Sequence, residues 1–287
     1  MSPNNGFRMF DADRSKALEA LGRFVQGREK HYVCFCEANL LAHTTRNEQV
    51  LNALRRASLV MADGVGAKAY ARLRGQSAVD RYPGPTFILD ACEIGVEKGW
   101  RHFFYGGAPG VPERLARNLK QRFPGMQVAG TFSPPFTAVS DTVQRDIIGM
   151  IEATKPDLLW VGLGGPKQEL WMAEHLGKID VPVMLGVGAA FDFHSGKRPW
   201  APPFIRKIGM EWAYRMLTGG KATFRRNLWC VSVVARLLLA TWIRRYVFRQ
   251  FPAKTKELLK GMEGKGTLGG PATGEMRGRL ASDGVKP

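Results

Sequence analysis

Six short runs rich in β-branched and aromatic residues alternate with longer stretches whose apolar residues fall three and four apart. The short runs are HYVCFC (31–36), SLVMAD (58–63), WRHFFYG (100–106), MQVAGTF (126–132), DLLWVGLG (157–164) and VPVMLGVG (181–188). The longer ones, 47–57, 64–74, 85–98, 111–122, 138–154 and 166–177, have the period of amphipathic helices. Strands apolar on both faces and separated by helices pair in parallel and are covered on both sides. The alternation therefore predicts an α/β, Rossmann-like fold with a mostly parallel sheet. At 287 residues, with 45% hydrophobic and 23% charged, the chain suits one such domain with appendages; wholesale disorder, collagen and disulfide scaffolds are excluded.

In such sheets ligands collect at the C-terminal edge, where strands pass into helices. Four of those turns combine glycine with polar groups: Ala62-Asp63-Gly64-Val65-Gly66, Gly106-Gly107-Ala108-Pro109-Gly110, Gly164-Gly165-Pro166-Lys167-Gln168-Glu169 and Gly188-Ala189-Ala190-Phe191-Asp192-Phe193. Glycine turns opening helices present backbone N–H groups suited to phosphate, although GGAPG also reads as a tight turn with Pro112 in the first helical turn. A dinucleotide fold wants an acidic residue at the end of the following strand, and that strand ends Gly130-Thr131-Phe132-Ser133. Asp63 follows an apolar strand directly, where partial burial would raise its pKa toward that of a general base; an Asp there also caps a helix. Asp192 between Phe191 and Phe193 presents the same alternative.

Charge is unevenly spread. The chain carries +17 overall, and residues 201–287 alone hold 17 Lys and Arg against 5 Asp and Glu, so an anionic partner is expected at the C-terminal part. There EWAYRML (211–217) precedes KATFRRNLWCVSVVARLLLATWIRRYVFRQF (221–251). Arg236 interrupts the most apolar part, while Arg225, Arg226, Arg244, Arg245 and Arg249 bracket it, which favours an interfacial helix with a basic rim over a transmembrane one. The division expected is a catalytic core over 1–200, a helical appendage over 201–251 and a disordered tail over 252–287, whose last 27 residues hold eight glycines. Cys34, Cys36, Cys92 and Cys230 form no CxxC pair or zinc spacing, and the N-terminus lacks an apolar signal core; a reduced, cytoplasmic setting for the catalytic body is the expectation.

The blocks ADGVG (62–66), GGAPG (106–110), GLGGPKQELW (162–171), GVGAAFDFHSGKRPWAP (186–202) and EWAYR (211–215), in that order, resemble the WecG/TagA/CpsF family of bacterial glycosyltransferases, glycosyltransferase family 26. The resemblance spans roughly 30–230. It implies inverting, metal-independent transfer of a sugar from a UDP-sugar to a polyprenyl-pyrophosphate-linked saccharide at the cytoplasmic membrane face, in surface-polysaccharide synthesis, with no cofactor. Asp63 matches the family's catalytic Asp, Arg81 in DRYPG its Arg turn, and Gln168 its nucleotide-pocket Gln. Gly106, Gly107 and Asp192 join the substrate-binding set.

Where the family has Thr-x-Asn after the first strand, this chain reads Cys34-Phe35-Cys36-Glu37-Ala38-Asn39, so either Glu37 replaces the Asn or Asn39 acts through a shifted turn. Of the family's appendage arginines, Arg215 and Arg225 are retained. A middle one falls on Ala222, with Lys221 or Arg226 as substitutes. Asp11-Ala12-Asp13 matches the DxD of metal-dependent sugar transferases, but it starts the helix SKALEALGRFV, where Asp is a favoured cap. The competing reading is a non-catalytic basic nucleotide- or nucleic-acid-binding protein. Trp, Leu and Val interleaved through the basic stretch argue against nucleic acid, and a homo-oligomer is left open.

Overall fold

A computed structural model describes residues 6–11, 13–135 and 140–247. All six runs are strands: β1 His31–Cys36, β2 Leu59–Ala62, β3 Arg101–Gly106, β4 Gln127–Phe132, β5 Leu158–Gly162 and β6 Val183–Gly186. They pair in parallel in one sheet of order β2-β1-β6-β5-β3-β4. The helices are α1 Arg14–Gly27, α2 Ala38–His43, α3 Glu48–Arg56, α4 Val65–Leu73, α5 Gly84–Lys98, α6 Val111–Arg122, α7 Asp141–Ala153, α8 Lys167–His175, α9 Ala190–His194, α10 Pro203–Lys207, α11 Glu211–Thr218 and α12 Gly220–Trp242. A π-helical turn, Ile243–Val247, follows. The Rossmann-like α/β expectation is met. Helices α2, α9 and α10, of five or six residues each, are too short to leave a period in the sequence.

The period-2 alternation of each strand feeds two cores, one per face. Along β1, Tyr32, Cys34 and Cys36 join one with Leu159 and Val161, while Val33 and Phe35 join the other with Leu158 and Trp160. All four cysteines are free and buried. Asp13 is the cap of α1, its carboxylate accepting from the Lys16 N–H at 2.9 Å, which accounts for one half of the DxD.

β3 and β5 approach so closely at their ends that Gly106 has no room for a side chain. Its φ is +126°, and a Cβ there would lie 2.6 Å from the Gly162 backbone. Gly106→Ala is accordingly expected to destabilise the fold by about 2 kcal/mol or more, read as a lower urea midpoint. Gly106 is thus a packing residue beneath the site.

α10, α11 and α12 belong to the same compact unit as the sheet. α12 packs on α2 and α4, burying Cys230 and Val234 and exposing Leu228, Val231, Leu239 and Trp242. The stretch Thr223–Tyr246, whose most apolar 18 residues have a mean hydropathy of 1.3, is long and apolar enough to cross a membrane by length and composition alone. One face of α12 is packed on the protein body, and the Arg236 side chain is exposed. The tail 252–287 and Arg249 lie outside the described residues.

Candidate active site

The turns at the C-terminal edge surround a cavity of about 600 Å³. Glu37 reaches it from just after β1 and Asn39 from the start of α2, Asp63 from just after β2, Gly107 from just after β3, Gln168 from the start of α8, and Asp192 from α9. Arg215 of α11 and Arg226 of α12 wall the cavity from the appendage. A second cavity of about 250 Å³ lies between α4 and α12 and shares Glu37, Asn39, Asp63, Glu211, Arg215 and Arg226 with the first.

Asp63 sits where the two cavities meet. Its N–H donates to the Cys36 carbonyl at 3.0 Å, which ties the turn after β2 to the end of β1. Burial, with the Glu37 carboxylate adding to it, pushes its pKa up to about 7 against the opposing pull of Arg215 and Arg81. A carboxylate titrating near neutrality, reachable from two cavities, has the properties of a general base. Glu37 begins α2 without capping it and pairs with Arg215 at 3.5 Å. Asn39 is committed elsewhere: its amide donates to the Gly165 carbonyl at 3.3 Å, and its oxygen accepts from Cys230 Sγ at 3.5 Å. Both residues the sequence left as alternatives line the two cavities with Asp63; the charge of Glu37 acts on Asp63, while Asn39 ties α2 to α12 and to the turn after β5.

Other sequence candidates have structural partners. Arg81 pairs with Glu211 at 3.3 Å, both mostly buried, and also donates to the Arg206 carbonyl. Because Trp200 Nε1 donates to the same Glu211 at 3.2 Å, Arg81 fastens α10 and α11 to the edge of β2 and lines only the second cavity. Gln168 is fully satisfied: its amide nitrogen donates to the Gly186 carbonyl at 2.7 Å and to Glu169 at 2.8 Å, and its oxygen accepts from the Gly164 N–H. It stitches the β5 turn to the end of β6. Gly107, at φ +75°, gives its N–H to the Gly162 carbonyl at 3.0 Å. Asp192 pairs with Lys197 at 3.4 Å and Arg198 at 3.3 Å. Arg225 is exposed and lines neither cavity, whereas its neighbour Arg226 lines both.

Sequence reasoning did not single out Glu211, which anchors Arg81, or Glu169. The latter is 1% exposed at the wall of the first cavity, with one carboxylate oxygen bonded to Gln168 and the other without a partner. Burial pushes its pKa up to about 7. Nothing in its identity separates it from any acidic residue on a helix; only burial does.

Two carboxyls whose folded pKa lies above the unfolded value, Asp63 and Glu169, hold protons in the folded state that the unfolded chain releases near pH 4. Their contribution to stability is full below that point and is lost as pH rises toward 7. The Tm is expected to fall over this range, and Glu169→Gln, which cannot ionise, should flatten the fall. An unchanged Tm–pH curve in the variant would contradict the assignment.

A family model described as the glycosyl transferase WecG/TagA/CpsF family matches residues 4–247. The chain belongs to this family. An N-acetylglucosaminyldiphosphoundecaprenol N-acetyl-beta-D-mannosaminyltransferase of Bacillus spizizenii is 33% identical over 67% of this chain and 72% of its own length. A protein of the same description from Staphylococcus aureus strain MRSA252 is 29% identical over 68% of this chain and 75% of its own. As a WecG/TagA/CpsF glycosyltransferase, the protein is an enzyme, and a purely nucleic-acid-binding role is not favoured by these relatives. Among the described residues no group of three His, Cys, Asp or Glu side chains is placed to hold a metal ion. Developing negative charge at this site would meet arginine and helix N-termini.

Proposed function

We propose that this family member transfers an N-acetylated hexosamine, with inversion, from a UDP-sugar to a saccharide carried on polyprenyl pyrophosphate, in surface-polysaccharide synthesis. The observation that carries the reading is Asp63, raised to about 7 and lying where two cavities join beside Arg215 and Arg226. The larger cavity takes the donor nucleotide. The Asp63 carboxylate removes the proton of an acceptor hydroxyl as that oxygen bonds to the anomeric carbon. The bond from that carbon to the UDP oxygen breaks, and the electron pair leaves with the diphosphate.

That charge is met by Arg215, Arg226 and the uncapped starts of α6 and α8, groups fixed before reaction and therefore effective at stabilising it. Here Arg226 takes the role that sequence reasoning gave to Arg225. Glu37, which lines both cavities with Asp63, holds Arg215 in the free enzyme and is placed to accept hydrogen bonds from donor sugar groups. We read residues 201–251 as the appendage that covers the site and rests on anionic lipid at the cytoplasmic face, each basic residue contributing about 1 kcal/mol.

The reading is tested by incubating the purified protein with a panel of radiolabelled UDP-sugars and short-chain prenyl-pyrophosphate-linked N-acetylglucosamine. One donor is expected to yield a labelled lipid product, with full activity retained in EDTA. No labelled product with any donor would overturn the reaction; loss in EDTA with rescue by manganese or magnesium would overturn its metal independence.

A further inference from the structure

We propose that the cavity between α4 and α12 is the binding site for the first isoprene units of a prenyl diphosphate, whose diphosphate lies on the trough side of Arg215 and Arg226, two residues that line both cavities and so stand between it and the diphosphate of the donor. The proposal deepens the transferase reading and rests on it for the identity of the acceptor.

The cavity is two-ended. At one end it shares Glu37, Asp63, Glu211, Arg215 and Arg226 with the larger cavity; Glu37 pairs with Arg215 and Glu211 holds Arg81, so Arg226 is the guanidinium there without an ion pair among the described residues. Away from that end its walls turn apolar. α12 contributes Cys230, Val231, Val234, Ala235 and Leu238, positions three and four apart and so on one face of the helix. α4 contributes Val65 and Gly66 from the other side, and Trp212 of α11 completes the wall. Gly66 sets the width: a Cβ there would stand 3.2 Å from Val234 Cγ1, so a larger residue would close the gap between the helices. The mouth is open, with Val65, Trp212 and Val231 each more than a third exposed.

An apolar trough joined to an end where Arg215 and Arg226 stand beside the base fits an amphiphile with an anionic head. Continuity with Asp63 fixes its orientation, since the head must lie beside the base for the saccharide it carries to be deprotonated. The outer face of α12 exposes Leu228, Leu239 and Trp242. A chain leaving the trough at Leu238 therefore continues along an apolar helix surface rather than into water.

The test uses the full-length protein and two soluble probes, farnesyl diphosphate and inorganic diphosphate, titrated calorimetrically. Farnesyl diphosphate is expected to bind at least about tenfold more tightly, since burying a couple of methylene groups already exceeds one decade of affinity. Val231→Trp, which fills the trough, should bring farnesyl diphosphate down to the affinity of inorganic diphosphate while leaving inorganic diphosphate and UDP unaffected. Leu228→Trp, equal bulk on the outer face, should change none of the three.

Equal affinity of the two probes in the parent protein would overturn the proposal, as would a gap that survives Val231→Trp. Equally tight binding of a single-chain lysophosphatidic acid would assign the trough to membrane lipid instead. Should Val231→Trp not fold, judged by lost UDP binding, a benzophenone-bearing prenyl diphosphate cross-linked to the parent protein decides: adducts on α4 and α12 support the site, and adducts confined elsewhere refute it. These outcomes are separate from those of the sugar-transfer assay, because prenyl diphosphate binding is read without any donor.

Discussion

Replacing Asp63 with asparagine is expected to slow sugar transfer by about 10²-fold or more while leaving UDP affinity close to that of the parent protein. Asparagine keeps the shape of the side chain and cannot accept the acceptor's proton. The parent enzyme should show kcat/KM rising with pH through about 7, because below that value the Asp63 carboxyl is protonated and cannot serve as a base. In Asp63→Asn that limb should vanish along with the rate. Folding should not suffer, since the buried charge costs stability above neutral pH and the amide removes it; the Tm at pH 8 is expected to equal or exceed the parent's. Turnover near the parent's would remove Asp63 from the mechanism and leave Glu169 as the remaining buried carboxyl at the cavity.

Arg226→Ala should lower turnover by about 10²-fold, the usual cost of deleting one preorganised group that meets developing charge, whereas Arg225→Ala should leave it nearly unchanged on a water-soluble acceptor. The contrast follows from helical geometry. Adjacent residues on α12 point about a quarter turn apart, so Arg226 faces both cavities while Arg225 lines neither. The soluble acceptor matters because both arginines add to attraction toward anionic lipid, and only an assay without a membrane isolates the contribution at the site. Equal losses in the two variants would mean that their effect is electrostatic attraction at long range. Equal retention would mean that α12 is a cover without a part in the chemistry.

The fold was legible because a parallel sheet buried on both faces writes itself as uninterrupted apolar runs, and each of the six runs became a strand. The position of Asp63 was legible for the same reason: the end of an apolar run marks the edge of the sheet where turns gather. Residues whose importance comes from their partners were not. Gln168 was read as a nucleotide contact, yet its donors and acceptor are occupied by Gly186, Glu169 and Gly164. Arg81 was read as a substrate ligand, and its guanidinium fastens Glu211 and the Arg206 carbonyl. Both lie at the site and shape it, and neither commitment leaves a trace in local sequence.

Hydrophobic periodicity, glycine turns and the ordered blocks of the family motif determined the α/β class, the place of each strand to within about two residues at its ends and the sheet edge where the turns gather, because these are properties of neighbours along the chain. The tertiary structure alone decided which arginine of the Arg225–Arg226 pair reaches the site, that Asn39 bonds to Gly165 and Cys230 while Glu37 pairs with Arg215, that Glu169 is buried with an unpartnered oxygen, and that an apolar trough opens beside the base. Each depends on the angle at which α12 crosses α2 and α4 and on residues more than a hundred positions apart meeting at the sheet edge. Such meetings are fixed by packing of whole elements, whose lowest free energy is a sum over both cores, and no window of sequence contains that sum.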